Sequence, residues 1–304
     1  MMVNIQKSFT TPVQGDAGIL YLVGTPIGNL EDITFRAIRT LKEVQLIAAE
    51  DTRQTRKLLT HFEIATRLVS YHEHNKQASG SELIRILKEG QSIALVSDAG
   101  LPAISDPGAD LVVEAIENNI KVVPIPGANA ALSALIISGM STERFMFTGF
   151  PPRDKKSLHI WLNGLQRQEG TLMTYESPHR IRKTLDAMLE IWGDRQMAMV
   201  RELTKRFEEA ARGTISECID WLAENQPLGE YCLIIEGADA AKEAGRLNGT
   251  DDVEDNDKLW WSELDLEQHV AHYEAANLDR KEAIKKVAVD RGLQKREVYN
   301  AVNR

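Results

Sequence analysis

Ser97-Asp98-Ala99-Gly100-Leu101-Pro102-Ala103-Ile104-Ser105-Asp106-Pro107-Gly108 is the stretch on which the reading of this chain turns. The apolar run before it, Ile93-Ala94-Leu95-Val96, has the length and composition of a strand buried on both faces. After it, Leu111, Val112, Ala115 and Ile116 recur at helical spacing. Strand, tight polar loop and helix form the unit with which α/β sheets present ligand loops at the carboxyl ends of their strands. Glycine lets such a backbone come close to a ligand, and proline fixes its shape so that less entropy is lost on binding. The loop carries no Lys or Arg. Alone, it would equally suit an ordinary Gly/Pro turn.

The same pattern recurs on either side. Working outward, Ile19 to Val23 reads as a strand ending in Gly24-Thr25-Pro26-Ile27-Gly28-Asn29, with Asn29 capping a helix from about Leu30. Val44 to Ala49 ends in Glu50-Asp51-Thr52-Arg53, and Leu68 to Ser70 in Tyr71-His72-Glu73-His74-Asn75. Lys121 to Ile125 ends in Pro126-Gly127-Ala128-Asn129 ahead of an apolar helix to Met140. Alternating strands and helices predict a mostly parallel sheet covered by helices, so these clusters share one edge and converge on one cleft.

Phe145 to Thr148 reads as the last strand of this domain, and Gly149-Phe150-Pro151-Pro152-Arg153 as its boundary. A second α/β unit follows, with Thr171 to Tyr175 meeting Glu176-Ser177-Pro178-His179-Arg180, and Met197 to Val200 meeting Arg201-Glu202-Leu203-Thr204-Lys205. The predicted organisation is an α/β domain over 15–150, a second over 151–240, an acidic linker over 241–257 and a helical, helix-turn-helix-like tail over 258–304.

The net charge of −9 argues against a protein that coats nucleic acid nonspecifically. That average hides an asymmetry. Residues 280–304 hold eight Lys and Arg against three acids, an excess suited to an anionic partner. Lys285, Lys286, Lys295 and Arg296 are the RNA candidates there, and Trp260-Trp261 reads as tail core. No apolar run reaches the roughly 20 residues of a membrane span, and no secretory leader is evident at Met1 to Asp16. Cys218 and Cys232 have no metal-ligand spacing, so a cytoplasmic protein is expected. His72 and His74 lack the third ligand of a zinc site, and no metal is expected.

No GxGxxG or GxxxxGK[ST] motif occurs, and the first, central and fifth strand-end loops offer no base to a polyphosphate. A compact adenosyl and amino-acid ligand such as S-adenosylmethionine suits them better. The segments quoted above, in this order over about Gly18 to Gly237, resemble the RNA cytidine 2′-O-methyltransferase branch of the tetrapyrrole methylase family. The tail also resembles that branch's C-terminal extension.

This resemblance implies two α/β domains clasping S-adenosylmethionine, usually in a homodimer, and methylation of a decoding-centre cytidine ribose in 16S rRNA of the small ribosomal subunit. Carried over by motif, the donor contacts are Asp98, Gly100, Ile104, Ser105, Ala128, Asn129, Tyr175 and Leu203. The first loop ends Gly28-Asn29 rather than in the wider family's Gly-Asp, so it faces either donor or substrate, and Asn29 is a substrate candidate. Displacement at a sulfonium methyl needs alignment and removal of the hydroxyl proton. The candidate bases are Glu50, Asp51, His72, His74, Glu176, Glu202 and Lys205; a carboxylate of Glu50-Asp51 is preferred, with Arg53 on phosphate, and Lys205 in its free-base form is the competitor. His72, His74, Arg180 and Arg201 complete the residues expected to meet RNA. The bland alternatives are a helix cap with an ion pair at Glu50 to Arg53, and ordinary surface charges at Arg180, Arg201 and Lys205.

Overall fold

The computed structural model describes residues 5–8, 16–243, 261, 264–275, 278–291 and 293–302. The chain divides into two compact units, Met1–Asn248 and Gly249–Arg304. Most of the expected acidic linker, together with Trp260 and Gly292, lies outside the described residues.

The first unit opens with β1 (Ile19–Val23), α1 (Phe35–Glu43), β2 (Leu46–Ala49), α2 (Thr52–His61), β3 (Leu68–Ser70), α3 (Lys76–Lys88), β4 (Ile93–Val96), α4 (Gly108–Glu117) and β5 (Lys121–Ile125). These strands form one parallel sheet in the order β3-β2-β4-β1-β5. β2 and β4 are buried at every position because helices cover both faces. Ala37, Leu41 and Leu59 from α1 and α2 fill one core, while Leu83, Leu87 and Leu111 from α3 and α4 fill the other. The helix expected from Leu30 is a short 3-10 turn, Leu30–Asp32, capped by Asn29. α1 then starts afresh, with Thr34 Oγ1 accepting from Ala37 N at 3.0 Å.

There follow α5 (Ala130–Ser138), β6 (Phe145–Phe147), α6 (Lys155–Leu165), β7 (Thr171–Glu176), α7 (Ile181–Trp192), β8 (Gln196–Arg201), β9 (Glu209–Thr214), α8 (Ile215–Glu224), β10 (Tyr231–Ile235) and α9 (Ala238–Glu243). The second sheet runs β6-β7-β10-β8-β9, parallel between β6 and β7 and antiparallel elsewhere. This departs from the expected boundary at Gly149. β6 pairs with β7, not with the first sheet, and α5 buries Ala131, Ala134 and Leu135 against Met173, Ala198 and Ile234 of the second sheet. The change of sheet therefore falls at Pro126–Asn129, ahead of α5. β9, absent from the sequence reading, pairs with β8 along the whole of both strands.

Arg195 is wholly buried in this half. It donates to the carbonyl oxygens of Trp192 (3.3 Å), Glu236 (3.3 Å) and Gln166, tying the ends of α6, α7 and β10 together. Burial pulls its guanidinium down to about 10.

The second unit holds α10 (Leu266–Ala275), α11 (Arg280–Asp290) and α12 (Lys295–Val302), packed on Val270, Ile284, Val287 and Val298. Two of these helices match the expected pair, and α10 adds a third. Buried His269 accepts at Nδ1 from Arg291 Nε at 3.0 Å and stacks on Trp261 with ring centroids 5.5 Å apart. Its Nε2 lies 3.4 Å from Asp290 Oδ2, which also takes the Tyr273 hydroxyl at 2.6 Å. Burial first, then the Arg291 charge, holds its imidazole below the usual 6.5. Among the described residues, no helix is long and apolar enough to cross a membrane.

Arg195→Met removes the donor of three carbonyls, two of them buried, and is expected to cost about 3 kcal/mol or more in urea unfolding. In the tail, an imidazole depressed by folding is protonated first in the unfolded chain, so stability drops as pH falls below about 6.5. The opening free energy of amides across α10 to α12, with the intrinsic pH dependence of exchange divided out, is expected to fall as pH drops below about 6.5, and this fall should be absent from His269→Gln.

Candidate functional site

β1, β4 and β5 are neighbours, so the loops leaving their carboxyl ends meet. Thr25 and Gly100 form an antiparallel bridge, with N-to-O distances of 2.9 and 3.1 Å. Gly24 and Gly127 approach so closely that a Cβ on either would lie 2.8 or 2.9 Å from the other's Cα. The central loop then turns through Ala103 and Ser105, both at positive φ. Asp106 Oδ1 holds that turn by accepting from Ala103 N at 2.9 Å and Gly108 N at 2.7 Å.

The second half closes over this edge. The Tyr175 hydroxyl accepts from Ala131 N at 3.1 Å, and its ring packs on Phe147 and Phe150 at 4.9 and 5.4 Å. Burial pushes the Tyr175 hydroxyl up to about 12, so it stays protonated. Leu203 lies between Glu202 and Thr204, both at positive φ, and Lys205 lies against Gly28, where an added Cβ would meet its Cγ at 2.4 Å. Lys205 Nζ donates to Glu202 at 3.0 Å and lies 3.7 Å from Glu230.

These loops enclose a cleft of about 470 Å³, within the range of about 300–1,000 Å³ usual for small-molecule sites. Gly100, Ile104 and Asn129 line it from the first half, and Tyr175, Leu203 and Lys205 from the second. With Glu176 and Glu202, also in the lining, eight residues singled out in the sequence therefore share one cavity, from segments up to 105 positions apart. Asn129 also caps α5, accepting from Leu132 N at 2.9 Å. Asp98, Ser105 and Ala128 stand in the same loops but outside the lining.

Glu50, Asp51 and Arg53 form a second cluster beside the first, joined to it where Asp98 Oδ1 accepts from Asp51 N at 2.9 Å. Their chemistry differs. Asp51 caps α2 and grips Arg53 at 3.1 and 2.8 Å, which holds its carboxyl down at about 2. Glu50 is raised above the ordinary glutamate value, by burial first and then by the charges of Asp98 and Asp106. Of the two carboxylates, Glu50 is the more readily protonated. His72 Nδ1 is buried with no hydrogen-bond partner, and the His72 and His74 rings lie 6.0 Å apart. Among the described residues, no group of three or more His, Cys, Asp and Glu could hold a metal ion.

Other basic residues have structural duties. Arg180 donates to the carbonyls of Pro151 (3.1 Å) and Pro152 (2.6 Å), bracing the Gly149–Arg153 segment, and lies 3.5 Å from buried Glu176. Arg201 pairs with Glu209 across β8 and β9 at 3.1 and 3.0 Å. Lys205, the other candidate base, is engaged by the carboxylates of Glu202 and Glu230. Lys285, Lys295 and Arg296 are exposed in the second unit, and Lys286 lies over the Tyr273 ring at 5.0 Å. The sequence reading overlooked Ile27, Phe150 and Glu230 in the lining. For Phe150 the signal was there: a large apolar residue, set in a turn otherwise read as a boundary.

Residues 19–219 match the profile of the Tetrapyrrole (Corrin/Porphyrin) Methylases. The chain belongs to this family. Among its relatives, a ribosomal RNA small subunit methyltransferase I of Halalkalibacterium halodurans is 58% identical over 285 residues, 94% of either chain. Another, of Bacillus subtilis, is 54% identical over 300 residues, covering 99% of this chain and 98% of that one. A solved diphthine synthase superposes with a TM-score of 0.56 at 13% identity, over 72% of this chain and 90% of its own. Uroporphyrin-III-C-methyltransferase from Thermus thermophilus gives 0.52 at 19%, over 75% and 99%. The two solved structures share the fold. Family and relatives together make this tetrapyrrole methylase family member a methyltransferase.

The close approach of the first and fifth loops is testable in this methylase. In Gly127→Ala the new Cβ meets backbone atoms of Gly24 at 2.9 to 3.1 Å, and thermal unfolding should register a loss of about 1–3 kcal/mol. Gly28→Ala displaces chiefly the flexible Lys205 side chain and should cost clearly less.

Proposed function

We propose that the cleft binds S-adenosylmethionine and that the protein methylates RNA of the small ribosomal subunit, at the ribose 2′-hydroxyl of a cytidine in 16S rRNA. The observation that carries the donor assignment is the make-up of the lining. Lys205 is the one Lys or Arg among the described lining residues, and it is engaged by Glu202 and Glu230. A phosphate-free ligand bearing positive charge suits such walls, while a nucleotide polyphosphate does not. Ile27, Leu101, Ile104, Phe150 and Leu203 supply apolar surface for the adenosyl and thioether parts. Support for RNA comes from relatives named as ribosomal RNA small subunit methyltransferases, at identities above one half and over nearly the whole chain.

When bound, the donor supplies a methyl group on a sulfonium that is already a good leaving group. The chain's own residues do the rest. Gly100, Ile104, Asn129, Tyr175 and Leu203, with Asp98, Ser105 and Ala128 behind them, hold the donor. Glu50 accepts the hydroxyl proton, with Asp51 fixing Arg53 for a phosphate of the substrate. His72, His74 and Asn29 border the incoming RNA, and Lys285, Lys286, Lys295 and Arg296 grip it from the tail. The protein works as a homodimer in the cytoplasm, a state that sedimentation reads directly.

Radiolabelled methyl transfer to purified small subunits, with mapping of 2′-O-methylation, tests the reading. Transfer to uroporphyrinogen instead of RNA would overturn it. Glu50→Gln is expected to lower kcat about 10²–10⁴-fold while leaving calorimetric affinity for S-adenosylhomocysteine unchanged. Because a base must be unprotonated, wild-type kcat should fall as pH drops through the raised Glu50 value, on a limb above 4.5, and Glu50→Gln should lack that limb.

A further inference from the structure

The cleft and its tail leave one charged surface of the first sheet without a role. The steps from β1 to β2 and from β2 to β3 run the same way across the sheet, so right-handed crossovers lay α1 and α2 on one face. Their shared core confirms it, with Ala37, Leu41 and Leu59 in a single cluster. Both helices begin at the carboxyl ends of their strands, the edge that carries the cleft. The two turn matching outward faces to solvent.

On α1, Phe35 occupies the first helical position and is 93% exposed, with Arg39 outward one turn later. On α2, Arg53 is 87% exposed and Arg56 faces outward one turn along. The two helices together carry six Lys and Arg (Arg36, Arg39, Lys42, Arg53, Arg56, Lys57) against one acid, Glu43, in a chain of net charge −9. Arg39, Lys42 and Arg56 make no ion pair among the described residues. A lone exposed phenyl needs no explanation. An exposed phenyl at the start of a helix, beside a concentrated excess of cations on an otherwise acidic protein, supplies the two elements that hold single-stranded nucleic acid: a stacking surface and phosphate contacts.

We propose that the outward face of α1 and α2 is a docking surface for the RNA strand next to the target nucleotide, with a base stacked on Phe35 and phosphates on Arg39 and Arg56. The inference rests on the ribosomal RNA reading above and extends it to a surface outside the cleft. All three side chains are exposed on helices, so their replacement leaves the core alone.

The test compares wild type, Phe35→Ala, Phe35→Trp and the double variant Arg39→Gln/Arg56→Gln. Methyl transfer is measured against small-subunit concentration at several salt concentrations, with S-adenosylhomocysteine calorimetry and sedimentation alongside. Phe35→Ala should raise KM for the subunit roughly 5- to 150-fold, the span of one lost base stack, and Phe35→Trp should restore it. The double variant should raise KM at least about tenfold at about 0.15 M salt. It should also reduce the slope of log KM against log salt by about 1–2, as expected for two lost phosphate contacts. Donor affinity should stay within about twofold of wild type, since the cleft is untouched. Unchanged KM and salt slope would overturn the proposal, as would unchanged KM with a dimer converted to monomer, because the face would then belong to a second copy. A wild-type protein that modifies no small-subunit RNA would overturn the parent reading and this one with it. That control separates the two failures, since it is read without any substitution.

Discussion

The antiparallel bridge between Thr25 and Gly100 is the contact on which the site depends. Parallel strands bring their carboxyl ends to one edge but do not decide how the loops beyond them are arranged. Here two reciprocal backbone hydrogen bonds zip the first loop to the central one, and the side-chain-free approach of Gly24 to Gly127 seats the fifth loop on the first. A side chain at either glycine would hold these backbones apart. The strand order is what makes the bridge possible. β1 lies between β4 and β5, so the three loops that must touch come from three adjacent strands.

The polar groups around this frame are arranged by local electrostatics. Asp51 and Glu50 are neighbours in sequence with opposite dispositions. One faces Arg53 and caps a helix, so its charged form is favoured; the other is half-buried among Asp98 and Asp106, so its charged form is penalised. A pair of carboxylates driven apart in this way marks out which member can take up a proton. In the second half, Arg180, Arg201 and Arg195 each meet acceptors of the fold itself, and Arg180 and Arg201 brace the segments that carry Phe150 and Leu203 to the cleft.

Much of this was legible in the residues. Short apolar runs ending in Gly, Pro, Asp or Asn identified the strands and the edge at which they open, because burial on both faces leaves β2 and β4 uniformly apolar. The gathering of Gly100 and Asn129 followed from that edge, whereas Tyr175, on the second sheet, was expected only from the family resemblance. What local pattern could not supply was partnership across long separations. β6 is three residues long and reads equally well as the end of one sheet or the start of another, since hydrogen-bond partners are not written in a strand's own composition. α5 was placed with the strand before it in sequence, yet its apolar face is taken up by β7, β8 and β10. Arg201 resembles any surface cation until β9 is recognised and sets Glu209 opposite it. Phe150 was hidden by its neighbours, as Gly149, Pro151 and Pro152 announce a turn so strongly that the aromatic among them passed as filler.

The position of α5 has a mechanical corollary. Since that helix travels with the second sheet, the joint between the two halves of the first unit is the peptide Pro126–Asn129 preceding it. That peptide abuts Gly24 and supplies Asn129 to the cavity wall. Pivot and binding surface are thus one short length of chain. An occupant of the cavity would therefore lie against the very segment by which the chain passes from one sheet to the other.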